Sequence, residues 1–389
     1  ILTCIPRVAH CLAGTLLAVA DLRTRLTAST PPRASWLTVH HFFAPDYKAL
    51  DNYPYIASAN RRGLLLCASQ QLVDEPLTRL DGFIGKELGL DDEHANKAYF
   101  LFKRTTTGSG RHVFRLPKFP RMINPGNACL VDDGDKDDFY GLETTRFIRY
   151  VGLHYWSTGS INQWLYRNLT YPESLWFRPW GAHGTIYHNC KIWWIDLSCG
   201  LLYGNPHDML HESGKLSFVA LPDGCELPAR TPHLDKKRCV GVSAGKLRYV
   251  QIHKLRGRKG ILVPVVSMWT LIDEATGEWR RDCRTPWKWI WDNLEPDKLP
   301  AVALIHPNHG DVVYFFKQFW IVGVDVREGR VLEWQFNAML HPPLPYHSSR
   351  FVRPWLVARE LLDVQNTYSI LNAVLQPTRT ESDQSISRT

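Results

Sequence analysis

The sequence predicts an all-β fold, a β-propeller of about six or seven four-stranded blades. The first observation behind this is a recurrence. Three times an apolar, aromatic run meets an Asp, and a Gly four residues later restarts another apolar run: Trp193-Trp194-Ile195-Asp196 to Gly200-Leu201-Leu202, Trp269-Thr270-Leu271-Ile272-Asp273 to Gly277-Glu278-Trp279, and Ile321 to Asp325, Gly329 and Val331-Leu332. An Asp carboxylate accepts hydrogen bonds from turn amides and a Gly adopts the left-handed conformation, so each copy reads as a β-hairpin. The second observation is spacing: the three Asp residues stand 77 and 52 residues apart, near two units and one unit of roughly 40 to 50 residues, the size of a four-stranded blade. The third is the 15 Trp in a chain that is 44% apolar, because large flat side chains fill the space between packed sheets. Radial closure leaves only short strand edges exposed, whereas one open sheet of this length would present an aggregation-prone edge.

Along the chain, residues 1–30 read as a helical or irregular leader. Its apolar run from Cys11 to Ala20, about ten residues, is too short to span a bilayer; a signal-peptide remnant and a gene-model artefact are the alternatives. The propeller domain is expected over 31–365. Trp36-Leu37-Thr38-Val39-His40 alternates, and Tyr55 to Ala59 leads through Asn60 and Gly63 into Leu64-Leu65-Leu66-Cys67, a hairpin feeding a buried strand. A looser turn has Arg104 in the Asp place and Gly108 after it, between Tyr99 to Phe102 and Val113 to Leu116. The Leu-Pro endings at Leu116-Pro117 and Leu221-Pro222 mark strands that leave their sheets at a residue unable to donate a ladder hydrogen bond. Further strands read at Gly184 to Tyr187, Leu247 to Ile252, Ala301 to Ile305 and Val312 to Phe316. The acidic stretch Gly126 to Gly141 reads as a surface loop. The tail 366–389 is expected to be partly helical, with a closing helix over Leu356 to Leu375, and then disordered from Gln376.

Composition bounds function loosely. A net charge of +8 suits an anionic partner, yet the charge is scattered; its densest points, Lys236-Lys237-Arg238 and Lys254 to Lys259, read as solvated loops, with an anion-binding patch as the alternative. Nine cysteines without a C-x-x-C pair suit a reducing compartment, cytoplasm or nucleus, with secretion as the alternative if the start is incomplete. Cys4, Cys67, Cys190 and Cys239 lie beside apolar stretches and read as buried thiols. The sequon Asn168-Leu169-Thr170 matters only in a secreted chain.

No catalytic or ligand constellation stands out, and no catalytic residue, metal or cofactor is assigned. Gly241-Val242-Ser243-Ala244-Gly245 fits the hydrolase elbow pattern, but the alternating Lys246 to Ile252 after it is a strand where the elbow needs a helix. His207 and His211 stand four apart without a third ligand, between Pro206 and Gly214, in a loop. Asp133 to Asp138 opens like a calcium loop but carries Asp138 where that turn requires Gly. The tripeptide Arg-Pro-Trp occurs twice, at Arg178-Pro179-Trp180 near His183 and at Arg353-Pro354-Trp355 near Arg350. Arg and Trp are common interface anchors, so Arg178, Trp180, His183, Arg350, Arg353 and Trp355 form the candidate interaction face; the structural alternative is Trp packed between blades with Arg stacked or paired beside it.

Arg178-Pro-Trp-Gly-Ala-His-Gly184, Trp193-Trp-Ile-Asp-Leu-Ser-Cys-Gly200, Arg238-Cys-Val-Gly-Val-Ser-Ala-Gly-Lys-Leu-Arg248, Val266-Ser-Met-Trp-Thr-Leu271, Ala303-Leu-Ile-His-Pro307, Asp311-Val-Val-Tyr-Phe-Phe316, Val322-Gly-Val-Asp-Val326 and Ser348-Ser-Arg-Phe-Val352 follow one another in order. On these segments the chain, from Pro31 to about Leu356, resembles the grass-expanded plant family called domain of unknown function 1618, whose members are similar to F-box-associated and kelch-like β-propellers. The resemblance implies a propeller, no established enzyme activity and no functional residues to carry over. The basic insert Lys254 to Lys259 and the leader before Pro31 depart from the family pattern. The expectation is a non-enzymatic scaffold for an unknown protein or peptide partner, without a membrane span. A nucleic-acid-binding protein and a glycan- or small-ligand-binding propeller are the alternatives.

Overall fold

The computed structural model describes residues 2–4, 7–9, 25–27, 35–40, 54–60, 63–69, 97–104, 111–116, 125–133, 136–143, 150–157, 164–210, 214–257, 260–291, 299–317, 320–336 and 352–354. They belong to one compact unit, Ile1–Trp355; the second unit, Leu356–Thr389, lies outside them, and with it the expected closing helix and disordered tail.

The chain opens with four short strands, β1 (Leu2–Thr3), β2 (Arg7–Ala9), β3 (Arg25–Thr27) and β4 (Trp36–His40). The leader expected to be helical or irregular therefore contributes three strands: β2 runs parallel to β4, and β3 pairs antiparallel with its other edge. Five antiparallel four-stranded sheets follow. The first has β5 (Tyr55–Ala59), β6 (Gly63–Ser69), β7 (Lys97–Arg104) and β8 (Arg111–Arg115); the second has β9 (Ala128–Asp133), β10 (Lys136–Glu143), β11 (Tyr150–Ser157) and β12 (Leu165–Thr170). The third has β13 (Gly184–His188), β14 (Lys191–Asp196), β15 (Gly200–Gly204) and β16 (Ser217–Ala220). The fourth has β17 (Arg238–Ser243), β18 (Lys246–Arg256), β19 (Leu262–Asp273) and β20 (Glu278–Pro286), and the fifth β21 (Ala301–Ile305), β22 (Val312–Lys317), β23 (Trp320–Asp325) and β24 (Arg330–Phe336). A last strand, β25 (Val352–Arg353), pairs with β1. Among the described residues three short α-helices, α1 (Pro206–Leu210), α2 (Leu234–Lys237) and α3 (Trp287–Ile290), sit in connections. The pair of histidines at His207 begins in α1, a helix where a loop is expected.

The first strands of the sheets, β5, β9, β13, β17 and β21, meet in sequence order. This is a β-propeller arrangement of five blades, where six or seven are expected. The reason is unit length. Blades start at Tyr55, Ala128, Gly184, Arg238 and Ala301, so each repeat exceeds the roughly 40 to 50 residues of an ordinary blade.

Between neighbouring blades lies a separate apolar layer, and the sequence of β14 shows how. Successive side chains of a strand point to opposite faces. Trp193 and Trp194 are both fully buried, Trp194 with Val131, Leu142 and Leu153 of the second blade and Trp193 with Leu247, Tyr249 and Trp269 of the fourth. A strand covered on both faces cannot alternate apolar with polar, hence Ile192-Trp193-Trp194-Ile195. Polar groups cross the same seams: Thr185 Oγ1 donates to the Ala128 carbonyl at 2.6 Å, Trp194 Nε1 to the Asn127 carbonyl at 3.1 Å, and the Leu130 amide to Ser58 Oγ at 3.0 Å.

The hairpin turns explain the Asp-to-Gly repeats. Asp325 Oδ1 accepts the amides of Arg327 and Glu328 at 3.0 and 2.9 Å, and the Gly329 amide returns to the Asp325 carbonyl. Asp273 Oδ1 accepts the Ala275 amide at 2.8 Å, and the turn bonds hold its pKa below the usual carboxylate range. Gly329 and Gly277 have φ of +69° and +71°. Gly200 serves differently: it lies in a strand, and a Cβ there would stand 2.2 Å from the Val219 carbonyl oxygen.

Three readings change. The acidic stretch Gly126 to Gly141 is the β9–β10 hairpin, with Lys136 opposite Asp133; its charges obscure the apolar Cys129-Leu130-Val131 and Phe139-Tyr140 that pack as blade core. Cys190 is exposed, because Asn189 and Cys190, both at positive φ, form the two-residue turn between β13 and β14. Arg238 is buried and donates to the Leu197 carbonyl at 2.7 Å, so the densest basic triplet is not a solvated loop throughout.

Replacing Gly329 with Ala should destabilise the protein by about 1 kcal/mol, since a Cβ there meets Thr285 Cγ2 at 3.1 Å on a left-handed backbone. Urea unfolding measures it, and an unchanged midpoint would contradict this account of the turn.

Candidate functional site

The loop that carries the first Arg-Pro-Trp enters from β12 through a single 3₁₀ turn at Glu173–Leu175. It crosses the end of β14 and becomes β13. What fixes it there is Asp196, the last residue of β14 and 0% exposed. Asp196 Oδ2 accepts the Gly181 amide at 2.7 Å, and Oδ1 accepts the Ser198 amide at 2.8 Å and the Ser198 hydroxyl at 2.6 Å. A buried carboxylate needs such donors, because desolvation without them costs several kcal/mol. Gly181 is required by the closeness of the approach: a Cβ would stand 2.7 Å from Asp196 Oδ1 and 2.4 Å from the His183 ring.

Each member of the first tripeptide region has a place in this clasp. Arg178 donates to Ser198 Oγ at 3.1 Å, to the Leu227 carbonyl and to Glu226 Oε1 at 3.2 Å. Its guanidinium thereby joins the third blade's central turn to the connection beyond β16. Trp180 packs against the core between the second and third blades, and its Nε1 is buried without a hydrogen-bond partner. The His183 amide donates to the Ile195 carbonyl at 2.8 Å, while its Nδ1 accepts the Leu197 amide at 3.2 Å and stands 3.6 Å from Asp196 Oδ1. That acceptor role places the ring proton on Nε2.

Ser198, His183 and Asp196 are therefore neighbours, but not in the order that activates a nucleophile. The Ser198 hydroxyl points its proton at Asp196 and is 1% exposed, whereas activation needs the Ser hydrogen-bonded to the His. Burial, with Asp196 beside it, pushes the Cys199 thiol up to about 12. Ser243 is buried too and donates to the His306 carbonyl; Ala244 and Gly245, at φ of +48° and +71°, make the two-residue hairpin turn expected there. Among the described residues, no three His, Cys, Asp or Glu side chains converge to hold a metal ion.

Arg353 lies on β25 opposite Leu2; Arg350 and Trp355 lie outside the described residues. The structure thus brings Arg178, Trp180 and His183 together around Asp196.

Two features escape the sequence reading. An ionic junction joins the fourth and fifth blades: Arg248 bonds Asp282 Oδ2 at 3.0 Å, Thr270 Oγ1 donates to the same oxygen, and Arg327 bridges the Asp282 carbonyl and Asp311 Oδ1. The other is on the outermost strand of the fifth blade. There β24 turns Val331 and Glu333 inward, Glu333 accepting the Tyr314 hydroxyl at 2.6 Å, while Leu332, Trp334 and Phe336 stand exposed. Trp320 of β23 extends this strip, its ring 5.7 Å from Trp334 and 5.3 Å from Phe336. The signal was present as Leu332-x-Trp334-x-Phe336, whose alternation looks like an ordinary core-facing strand.

Residues 194–314 match the model of the family described as Protein of unknown function (DUF1618), which bears out the family resemblance over that span. No curated protein matches. Among solved structures, the chain is similar to a Penicillium chrysogenum alpha-L-arabinanase complexed with arabinobiose, at 10% identity, covering 72% of this chain and 79% of that one, with a TM-score of 0.32. It is also similar to a Bombyx mori GH32 beta-fructofuranosidase, at 11% identity, covering 76% of this chain and 56% of that one, with a TM-score of 0.28. A third is a post-proline cleaving enzyme from Rickettsia typhi, at 10% identity over 72% of this chain and 36% of that one, with a TM-score of 0.27. At these scores the likenesses carry no argument about activity.

Asp196→Ala should lower stability by about 3 kcal/mol and Arg178→Ala by about 1 to 3 kcal/mol in urea unfolding, whereas Phe177→Ala, at the exposed neighbouring position, should change little. Equal, near-zero effects of the first two would show that the clasp is not structural. A thiol reagent added to the native protein should modify Cys190 first among the described cysteines, since Cys199, Cys239 and Cys283 are pushed up to about 12, 12 and 11 by burial; mass spectrometry of the labelled peptides reads the order, and prior labelling of Cys199 would refute it.

Proposed function

We propose that this chain, which carries the DUF1618 domain in a β-propeller fold, is a non-enzymatic scaffold that binds a protein or peptide partner. The observation that supports the reading best is the strip Trp320, Leu332, Trp334 and Phe336. Single exposed apolar residues are ordinary, but adjacent large ones mark interaction surfaces, and Trp334 is 71% exposed. The strip lies on an outermost strand, and no other strand pairs with the far edge of β24 among the described residues. An extended segment with apolar side chains fits such an edge: its backbone adds to the ladder and its side chains cover the aromatic rings. Arg350, Arg353 and Trp355 belong to the proposed interaction face as candidate contacts. Arg178, Trp180 and His183, the other members of the candidate face, hold the loop between the second and third blades. The proposed setting is a reducing compartment, in keeping with the free cysteines among the described residues.

Affinity purification of the tagged full chain from its source tissue, with and without nuclease, tests the reading when wild type and Trp334→Ser are run side by side. A protein retained by the wild type after nuclease and lost with Trp334→Ser is the expected result. Retention that disappears on nuclease treatment would move the function to nucleic acid, and partners indifferent to Trp334→Ser would remove the strip as the binding surface.

A further inference from the structure

Strands β18 and β19 are longer than the blade they belong to. On one side β17 begins at Arg238, opposite Gln251, and on the other β20 ends at Pro286, opposite Val265. Past those points β18 and β19 pair, among the described residues, only with each other, through Lys254↔Pro264, Leu255↔Val263 and Arg256↔Leu262. At about 3.3 Å per residue, these three pairs carry a two-stranded arm roughly 10 Å beyond the flanking strands. Its tip is closed by Gly257, whose amide donates to the Ile261 carbonyl at 2.8 Å, and by Gly260 at φ of +74°.

The chemistry of this arm is one-sided. Between Gln251 and Asp273 the sequence has no Asp or Glu, while Lys254 and Arg256 stand exposed on the arm. Cross-strand pairing puts Lys254, Arg256 and Leu262 on one face. At the point of greatest reach Ile261 and Leu262 are 65% and 57% exposed. Two aliphatic side chains held out in water beside a cation cluster are a cost with no return inside the blade.

We infer that the arm seats this protein peripherally on an anionic lipid bilayer. Ile261 and Leu262 enter the boundary between headgroups and acyl chains, and Lys254 and Arg256 stay at phosphate level, their stems lying along apolar surface with the charge outward. Charge complementarity selects anionic lipid, each Lys or Arg adding attraction near such a surface. Neither signal suffices alone, but a short apolar tip with a basic patch makes a reversible anchor. Nucleic acid is the weaker match: there is no Phe, Tyr or Trp between Tyr249 and Trp269 for bases to stack on, and a bare aliphatic tip gains nothing against phosphate. No helix among the described residues is long and apolar enough to cross a membrane, and the arm requires none.

The experiment is cosedimentation of the full chain with vesicles of phosphatidylcholine alone and of phosphatidylcholine mixed with phosphatidylserine, across a salt series. Binding should appear only with phosphatidylserine, weaken with salt, and fall about tenfold or more in Lys254→Glu/Arg256→Glu and in Ile261→Asp/Leu262→Asp. Circular dichroism checks that both variants fold, and Lys246→Glu, at an exposed cation that opens β18 at its other end, should bind like the wild type. Equal binding to both vesicle types, or unchanged binding by Ile261→Asp/Leu262→Asp, overturns the inference. So does an equal loss with Lys246→Glu, which would indicate general charge, or binding of duplex DNA or RNA while both vesicle types are ignored.

Discussion

The arrangement depends on a pairing of two residues with two: Leu2 opposite Arg353 and Thr3 opposite Val352. Blades arranged radially protect one another's faces, but a chain that merely ran from the first blade to the fifth would leave both ends open to solvent. Here the beginning of the chain is tied to the first blade, where the Ile56 amide donates to the Cys4 carbonyl at 2.7 Å. The segment of β25 is packed on the fifth, where Val352 joins Ala303, Leu304, Tyr314 and Ile321. Pairing β1 with β25 connects these two attachments. The connection joins residues far apart in the sequence, so the loop-closure entropy must be overcome before the pairing contributes. It is therefore a contact that the blades make possible and that in turn holds them.

With the ends joined, the remaining stability comes from the seams. Each described seam has its own apolar layer, and a strand such as β14 serves two seams at once by sending Trp193 one way and Trp194 the other. That geometry explains the aromatic content: the wedge between adjacent twisted sheets is wide, and indole rings have the bulk to fill it. It also explains why a few hydrogen bonds cross the seams at buried positions. Thr185, Asn127 and Ser58 satisfy groups that a second apolar layer would have orphaned.

The hairpins were legible in the sequence because their causes are local. Asp325 and Gly329 need only each other and the amides between them, and Ala244-Gly245 needs only positive φ. The family resemblance was legible for the same reason, since its motifs are largely the strand and turn residues of the third to fifth blades. Blade number was not legible, because it depends on how much chain lies between blades, and connection length leaves no periodic trace. The acidic hairpin was hidden by its charges, and Cys190 by apolar neighbours that sit in strands while it occupies the turn. Around Asp196 the sequence showed the participants but not their bonds. Arg178-Pro-Trp resembles a binding anchor until the Trp-Ile-Asp-Leu-Ser segment is seen to be its acceptor, a contact between segments about 16 to 20 residues apart that no local rule supplies.

The clasp and the surface place polar and apolar groups in opposite ways. Catalysis asks for polar groups that converge on a space where a substrate can sit, with the scaffold's own hydrogen bonds satisfied elsewhere. The polar cluster at Asp196 is turned on itself: Asp196 is filled by Gly181 and Ser198, Ser198 also receives Arg178, and His183 is held by Leu197. Apolar groups also face water, in the aromatic strip at Trp320, Trp334 and Phe336 and in the aliphatic tip at Ile261 and Leu262. Groups already satisfied internally stabilise a shape, and apolar groups left in water are relieved by being covered. Covering either patch would release free energy, and the proposed binding role draws on that.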